Sequence, residues 1–179
     1  MRQHGFSLIE LLMGLAITGI VLLLVTPAFA TLIESNQRQQ AAQALFSGIR
    51  TARSEAIVRN QAVVIHGING DWSQGWRMIL DISGKGQMDS DNPLLAERQS
   101  GARVSIAGNG SVESSIRFKG QGEALIGGTL YICAAREQVS RHQVVLARTG
   151  RVSLRNDKVE QALCEKRTEF RATSERAVL

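Results

Sequence analysis

From Leu11 to Ala30 the chain reads LLMGLAITGIVLLLVTPAFA, an uncharged run about as long as a helix needs to cross ~30 Å of hydrocarbon. Only Met-Arg-Gln-His-Gly stands ahead of Phe6, and Arg2 in that stub places the short end in the cytoplasm and the bulk of the chain beyond the membrane. From Glu34 to about Asn60 the pattern becomes a single apolar stripe. Ala41, Ala44, Leu45, Gly48, Ile49, Ala52 and Ala56 recur at three- and four-residue steps, with Gln37, Arg38, Gln39, Arg50, Arg53 and Arg59 mostly elsewhere. The one strong breaker between the two patterns is Pro27, which removes a backbone donor and should kink or loosen the helix there. One long helix from Phe6 to about Asn60 is therefore predicted, roughly 80 Å long at ~1.5 Å per residue.

After Gln61 the pattern turns β-like. Short runs at 62–66, 76–80, 104–106, 115–118, 129–133, 143–146 and 151–154 are separated by Gly, Asn and Asp, which predicts a mainly antiparallel sheet. The fold class is α+β: a long N-terminal helix, first transmembrane and then amphipathic, packed on that sheet.

The apolar run raises the question of how the chain is exported. Ala28-Phe29-Ala30 has the A-x-A form of a signal peptidase site, but the run exceeds the ~7 to 15 residues of an ordinary signal h-region and carries Glu10 at its front. A carboxylate in an apolar helix is expensive without a partner. The α-amino group of a neighbouring chain that begins at Phe6 is one such partner, and a Glu snorkelling at the membrane surface is the alternative. Gly14, Thr18 and Gly19 are small or hydroxylated positions that allow close helix contacts, or are neutral in a membrane helix.

Gly5-Phe6-Ser7-Leu8-Ile9-Glu10-Leu11-Leu12 resembles the prepilin cleavage motif of type IV pilins and type II secretion pseudopilins. The short basic leader, the Gly before the cut, the Phe after it, Glu four residues past that Phe and the apolar run all fall in register. The resemblance implies cleavage between Gly5 and Phe6 by prepilin peptidase, N-methylation of Phe6 by the same enzyme, and a subunit-assembly role for Glu10. The chain then divides into a leader at 1–5, a transmembrane and filament-core helix at 6–33, and a periplasmic domain at 34–179. The domain comprises the amphipathic helix at 34–60, a β-rich part at 61–164 and a flexible tail at 165–179.

Composition refines this picture. The formal charge is +5, and Arg2 and Glu10 cancel, so the excess lies in the water-facing part. Net charge alone does not choose among nucleic acid, anionic lipid, acidic proteins or simple solubility. Cys133 and Cys164 fit neither a C-x-x-C redox pair nor a zinc site. One disulfide in an oxidising compartment is expected, with two buried free thiols as the alternative.

His66 reads as a half-buried structural residue, and His4 and His142 converge on no cysteine, so no metal and no cofactor are expected. Asp81, Asp89 and Asp91 invite a calcium reading, but their spacing is not that of an EF-hand and Lys85 opposes a cation; a Gly/Asp turn is the better account. No spacing of nucleophile and base, or of paired carboxylates, marks an enzyme.

Trp72-Ser73-Gln74-Gly75-Trp76 leading to Asp81, then Gly128-Thr129-Leu130-Tyr131-Ile132-Cys133, then Gly150-Arg151 after a strand, is similar to the FimT/FimU and H-type pseudopilin family (GspH). That resemblance implies a minor pilin that helps initiate or cap a type IV pilus, with other pilins or pseudopilins and the inner membrane as its surroundings. A type II secretion pseudopilin H and a DNA-binding competence pilin are the alternatives. Between Arg136 and Arg155 five arginines face a single acid, Glu137. In a strand Arg151, Ser153 and Arg155 share a face, so Arg148, Arg151 and Arg155 are the candidate contacts to double-stranded DNA phosphates. Some FimT-like proteins carry Gly-Arg-x-Arg here; this chain has Ser153 where the second Arg would stand.

Overall fold

The computed structural model describes residues 8–86, 92–101, 104–134 and 139–160, excepting the side chains of 24–28 and Ala134. Two compact units divide the chain, Met1–Asn36 and Gln37–Leu179.

The described part of the first unit is helix. It is the beginning of α1 (Leu8–Arg59), which continues without a break across Pro27. Leu8, Leu11, Leu15, Ile17 and Ile20 are all exposed. Thr18 Oγ1 donates to Gly14 O at 2.7 Å, so its hydroxyl is satisfied within the helix.

Among the described residues the second unit holds the rest of α1 and eight strands: β1 (Val63–Ile68), β2 (Asp71–Leu80), β3 (Leu94–Gln99), β4 (Val104–Gly108), β5 (Ser115–Phe118), β6 (Gly128–Ala134), β7 (Ser140–Leu146) and β8 (Val152–Arg155). The helix ends where the polar pattern predicts. Asn60 takes a left-handed conformation at φ 50, Asn60 N donates to Ile57 O, and Gln61 N reaches back to Ala56 O, both at 3.2 Å. This paired closure absorbs carbonyls that the last turn would otherwise leave bare.

The expected single sheet is two four-stranded ones, ordered β3-β2-β1-β5 and β4-β6-β7-β8, and every pairing between strands is antiparallel. Side-chain hydrogen bonds tie the first sheet to the second and to the loop between β4 and β5. Ser73 Oγ on β2 accepts from Ile106 N on β4 at 2.9 Å, and the buried Trp72 donates Nε1 to Val112 O at 3.1 Å. The main core takes Ala42, Leu45, Ile49, Ala52 and Ala56 from α1, Val63, Ile65 and Met78 from the first sheet, and Ile106, Leu130, Ile132 and Val144 from the second; a small separate cluster holds Ala107 and Cys133.

Candidate functional site

The processing residues Gly5 and Phe6 lie outside the described residues. Glu10 occupies the first turn of α1 and is exposed. Among the described residues no helix is long and apolar enough to cross a membrane; the expected span at 6–33 is described only in part.

The three candidate arginines are brought to one hairpin. Ala147 N donates to Arg151 O and Gly150 N to Ala147 O, each at 2.9 Å, which closes the turn between β7 and β8. On β8, Val152 and Leu154 pack against the core. Alternation then puts Arg151, Ser153 and Arg155 on the other face, and both arginines are exposed, as is Arg148 in the turn.

Gly150 anchors this hairpin. Its φ is +79, and a Cβ there would strike Gly122 O and stand 2.7 Å from Arg53 Nε. Arg53 donates to that same Gly122 O at 2.9 Å, so helix, loop and hairpin meet at a point that admits only glycine. The Gly of the Gly-Arg pair thus fixes where Arg148 and Arg151 stand. Sequence reasoning missed Lys119, which lines a shallow recess with Arg148, Thr149 and Glu123. Nothing in the local sequence around Lys119 signals that placement.

Other predicted positions resolve differently. Asp81, read as part of a Gly/Asp turn, has a fully buried side chain whose Oδ2 lies 2.8 Å from Arg117 Nη2. Its Oδ1 accepts from Gly86 N at 3.2 Å, and Arg117 Nη1 donates to Gly84 O at 3.0 Å, so the ion pair pins the turn. Asp89 and Asp91 lie outside the described residues. His66 is half-buried with Nδ1 3.0 Å from Gly67 O. Cys133 is fully buried in β6 and carries no free thiol, while Cys164 lies outside the described residues. Among the described residues no cluster of His, Cys, Asp or Glu is placed to hold a metal ion.

A second recess was not foreseen. A cleft of about 280 Å³ opens between the first turns of the domain's helix and the β2–β3 edge, lined by Gln40, Ala44, Leu45, Trp72, Trp76 and Arg98 among others. Trp76 packs closely against the helix at Gly48, where a Cβ would lie 2.7 Å from the indole. The tryptophans that carried the family resemblance therefore form the cleft wall.

A long N-terminal helix with an apolar, exposed front and a back buried in an antiparallel β domain defines a type IV pilin-like subunit. The model of the type II transport protein GspH family matches residues 41–150, and the prokaryotic N-terminal methylation motif matches residues 1–26. The chain belongs to the GspH family. The crystal structure of the type IV minor pilin FimU of Pseudomonas aeruginosa strain PAO1 is similar at 21% identity and a TM-score of 0.59, covering 72% of this chain and 96% of that one. A second crystal form of FimU gives a TM-score of 0.54 at 21% identity, covering 69% and 98%. No curated protein matches the chain.

Proposed function

We propose that this chain is a minor pilin cleaved between Gly5 and Phe6 by prepilin peptidase, N-methylated on Phe6, and incorporated where a type IV pilus begins or is capped. The observation that carries this reading is the exposed apolar front of α1: among the described residues Leu8, Leu11, Leu15, Ile17 and Ile20 each leave more than half of their surface uncovered. Water does not tolerate such a stripe, whereas a bilayer before assembly and a bundle of neighbouring helices afterwards both do.

The subunit then sits in the inner membrane with its N-terminus cytoplasmic and its β domain periplasmic, and Glu10 pairs with the free amine of an adjacent subunit. Cys133 and Cys164, the only cysteines in the chain, form the bridge in that oxidising compartment. The decisive measurement is the mass of the N-terminal peptide from the membrane protein. A start at N-methyl-Phe6 is expected, and a start at Thr31 overturns the reading. Incorporation of a Glu10→Ala form at the normal level would remove the electrostatic part of it. Co-purification with secretion components in place of pili would move the same subunit to a type II secretion pseudopilus.

A second reading, binding of double-stranded DNA, is favoured by the rigid hairpin that leaves Arg148, Arg151 and Arg155 exposed together. Affinity for duplex DNA should then fall steeply with salt. Binding unchanged by joint Arg151→Ala and Arg155→Ala substitution rejects it.

A further inference from the structure

We infer that duplex DNA is held on two turns of the domain: Lys119 and Arg148 share one phosphate at the recess they line, and Arg53 is the positioning residue that keeps the two turns together. This rests on the DNA reading above and adds a contact and a positioning residue to it.

The first turn is closed by its own backbone. Gly122 N donates to Lys119 O at 2.8 Å, and Lys119 N donates to Glu123 O at 2.9 Å. Ala124 N then donates to Arg148 O at 3.0 Å, which ties this turn to the one between β7 and β8. Lys119 and Arg148, both exposed, therefore line the recess from fixed backbone positions. Arg53 joins the pair of turns to the helix. It lies four residues after Ile49 and three before Ala56, both fully buried, so its stem leaves the side of α1 that faces the domain. Its Nε donates to Gly122 O at 2.9 Å, at the same point where Gly150 has no room for a side chain. A half-buried guanidinium at that junction holds the turns, and the exposed cations are left to meet a ligand.

Charge says what the ligand is. Glu123 is the one acid on the recess, and among the described residues it forms no ion pair with Lys119 or Arg148. Two cations on one recess concentrate positive potential there, and an anion seated between them relieves it. Arg151 and Arg155 carry the cationic surface onward along β8, four residues and about 13 Å apart at ~3.3 Å per residue. A free phosphate fills the recess alone, whereas a polymer with one phosphate per ~3.4 Å of each strand reaches the recess and β8 together. Because the turns are closed before binding, little ordering cost remains.

The test uses the purified full-length chain in detergent and a labelled duplex of about 30 base pairs, with affinity read by fluorescence anisotropy from about 50 to 200 mM salt. Lys119→Gln should weaken binding about three- to tenfold, and the slope of log affinity against log salt should become shallower by about 0.9, the value for one phosphate contact. Glu123→Gln, which removes a charge that repels phosphate, should tighten binding about two- to fivefold. Arg53→Met should weaken binding about threefold or more with the slope unchanged, because it loosens the turns and removes no phosphate contact. Circular dichroism melting shows each variant folded at the temperature of the titration.

Unchanged affinity and slope in Lys119→Gln, beside native binding that falls steeply with salt, overturn this inference and leave the DNA reading standing. Equal binding of polyglutamate, lost equally in Lys119→Gln, assigns the recess to an acidic protein and overturns it as well. A lower melting temperature of Arg53→Met with unchanged affinity makes that residue merely structural and removes its positioning role. A native chain that fails to bind the duplex at about 50 mM salt defeats the DNA reading itself.

Discussion

One helix runs from Leu8 to Arg59, yet its two ends live under opposite rules. In the front part Ile17 is 60% exposed, while in the back part Ile49 is 0% exposed. The front is built of Leu, Ile and Val all round the helix, and the back keeps a narrow stripe in which Ala42, Ala52 and Ala56 alternate with Leu45 and Ile49. Small residues on a helix let a sheet approach closely, and each large one then fills a specific gap. The front needs an apolar environment of any shape; the back needs one particular partner. Stability of the domain is therefore written in the back half, and association with membrane and filament in the front.

The largest expected effect tests that division directly. Ile49→Ala should lower the unfolding free energy of the full chain in detergent by about 2–5 kcal/mol, the range for removing a large buried aliphatic group from a close-packed core. Ile17→Ala should leave it within about 0.5 kcal/mol, since that side chain is mostly exposed in its own chain, while reducing incorporation into filaments. Chemical denaturation followed by tryptophan fluorescence reads the first, and filament composition reads the second. Equal losses of stability would mean that the front half folds against the domain.

How far these halves were legible follows from what periodicity encodes. The stripe from Ala41 to Ala56 was readable because burial on a helix repeats at 3.6 residues, and so was the stop at Asn60. Ala42 was not singled out, although it is fully buried, since an alanine carries little weight in a hydrophobic pattern. Strand β3 escaped altogether: Leu94-Leu95-Ala96-Glu97-Arg98-Gln99 is a string of good helix formers. Its strand conformation is imposed by pairing with β2, a tertiary effect. The split into two sheets turns on contacts such as that of the Ser73 hydroxyl with Ile106, which no local pattern announces. At the candidate sites, the arginines of the hairpin were visible as a charge cluster. Lys119 beside Arg148, and Gln40 with Arg98 about the cleft, were not, because each pair is assembled from segments distant in sequence.

A middle-sized effect separates two glycines of the same helix. A Cβ at Gly48 would stand 2.7 Å from the Trp76 indole, whereas a Cβ at Gly14 meets nothing within 4 Å. Gly48→Ala should therefore destabilise the domain by about 1–3 kcal/mol through overpacking, despite the better helix propensity of alanine. Gly14→Ala should leave the domain unchanged and raise helicity slightly, by up to about 1 kcal/mol in local helix stability. Thermal unfolding by circular dichroism distinguishes them by sign. If Gly48→Ala proved neutral, Trp76 would be free to swing away, and the cleft wall would not be a fixed surface.

The smallest effect concerns the edge strand that the sequence hid. Arg77 on β2 lies directly opposite Glu97 on β3, and its Nε donates to Glu97 Oε2 at 2.6 Å, with Gln99 Nε2 adding a second donor at 3.2 Å. The hydrogen bond from Arg77, then that from Gln99, holds the Glu97 carboxyl below its usual value of 4.5. A carboxyl with a folded-state value below the unfolded one favours folding when ionised. Its contribution is complete above the unfolded value and disappears as pH falls through the folded one. Both partners are partly exposed, so the contribution is small and screened by salt. In low-salt buffer, wild type should melt slightly above Arg77→Gln at neutral pH, with the gap closing at a pH acid enough to protonate Glu97 in the folded state. A gap that persisted there would show that Arg77 acts on the β2–β3 edge through packing of its stem. The charge pair would then have no part in holding the strand that borders the cleft.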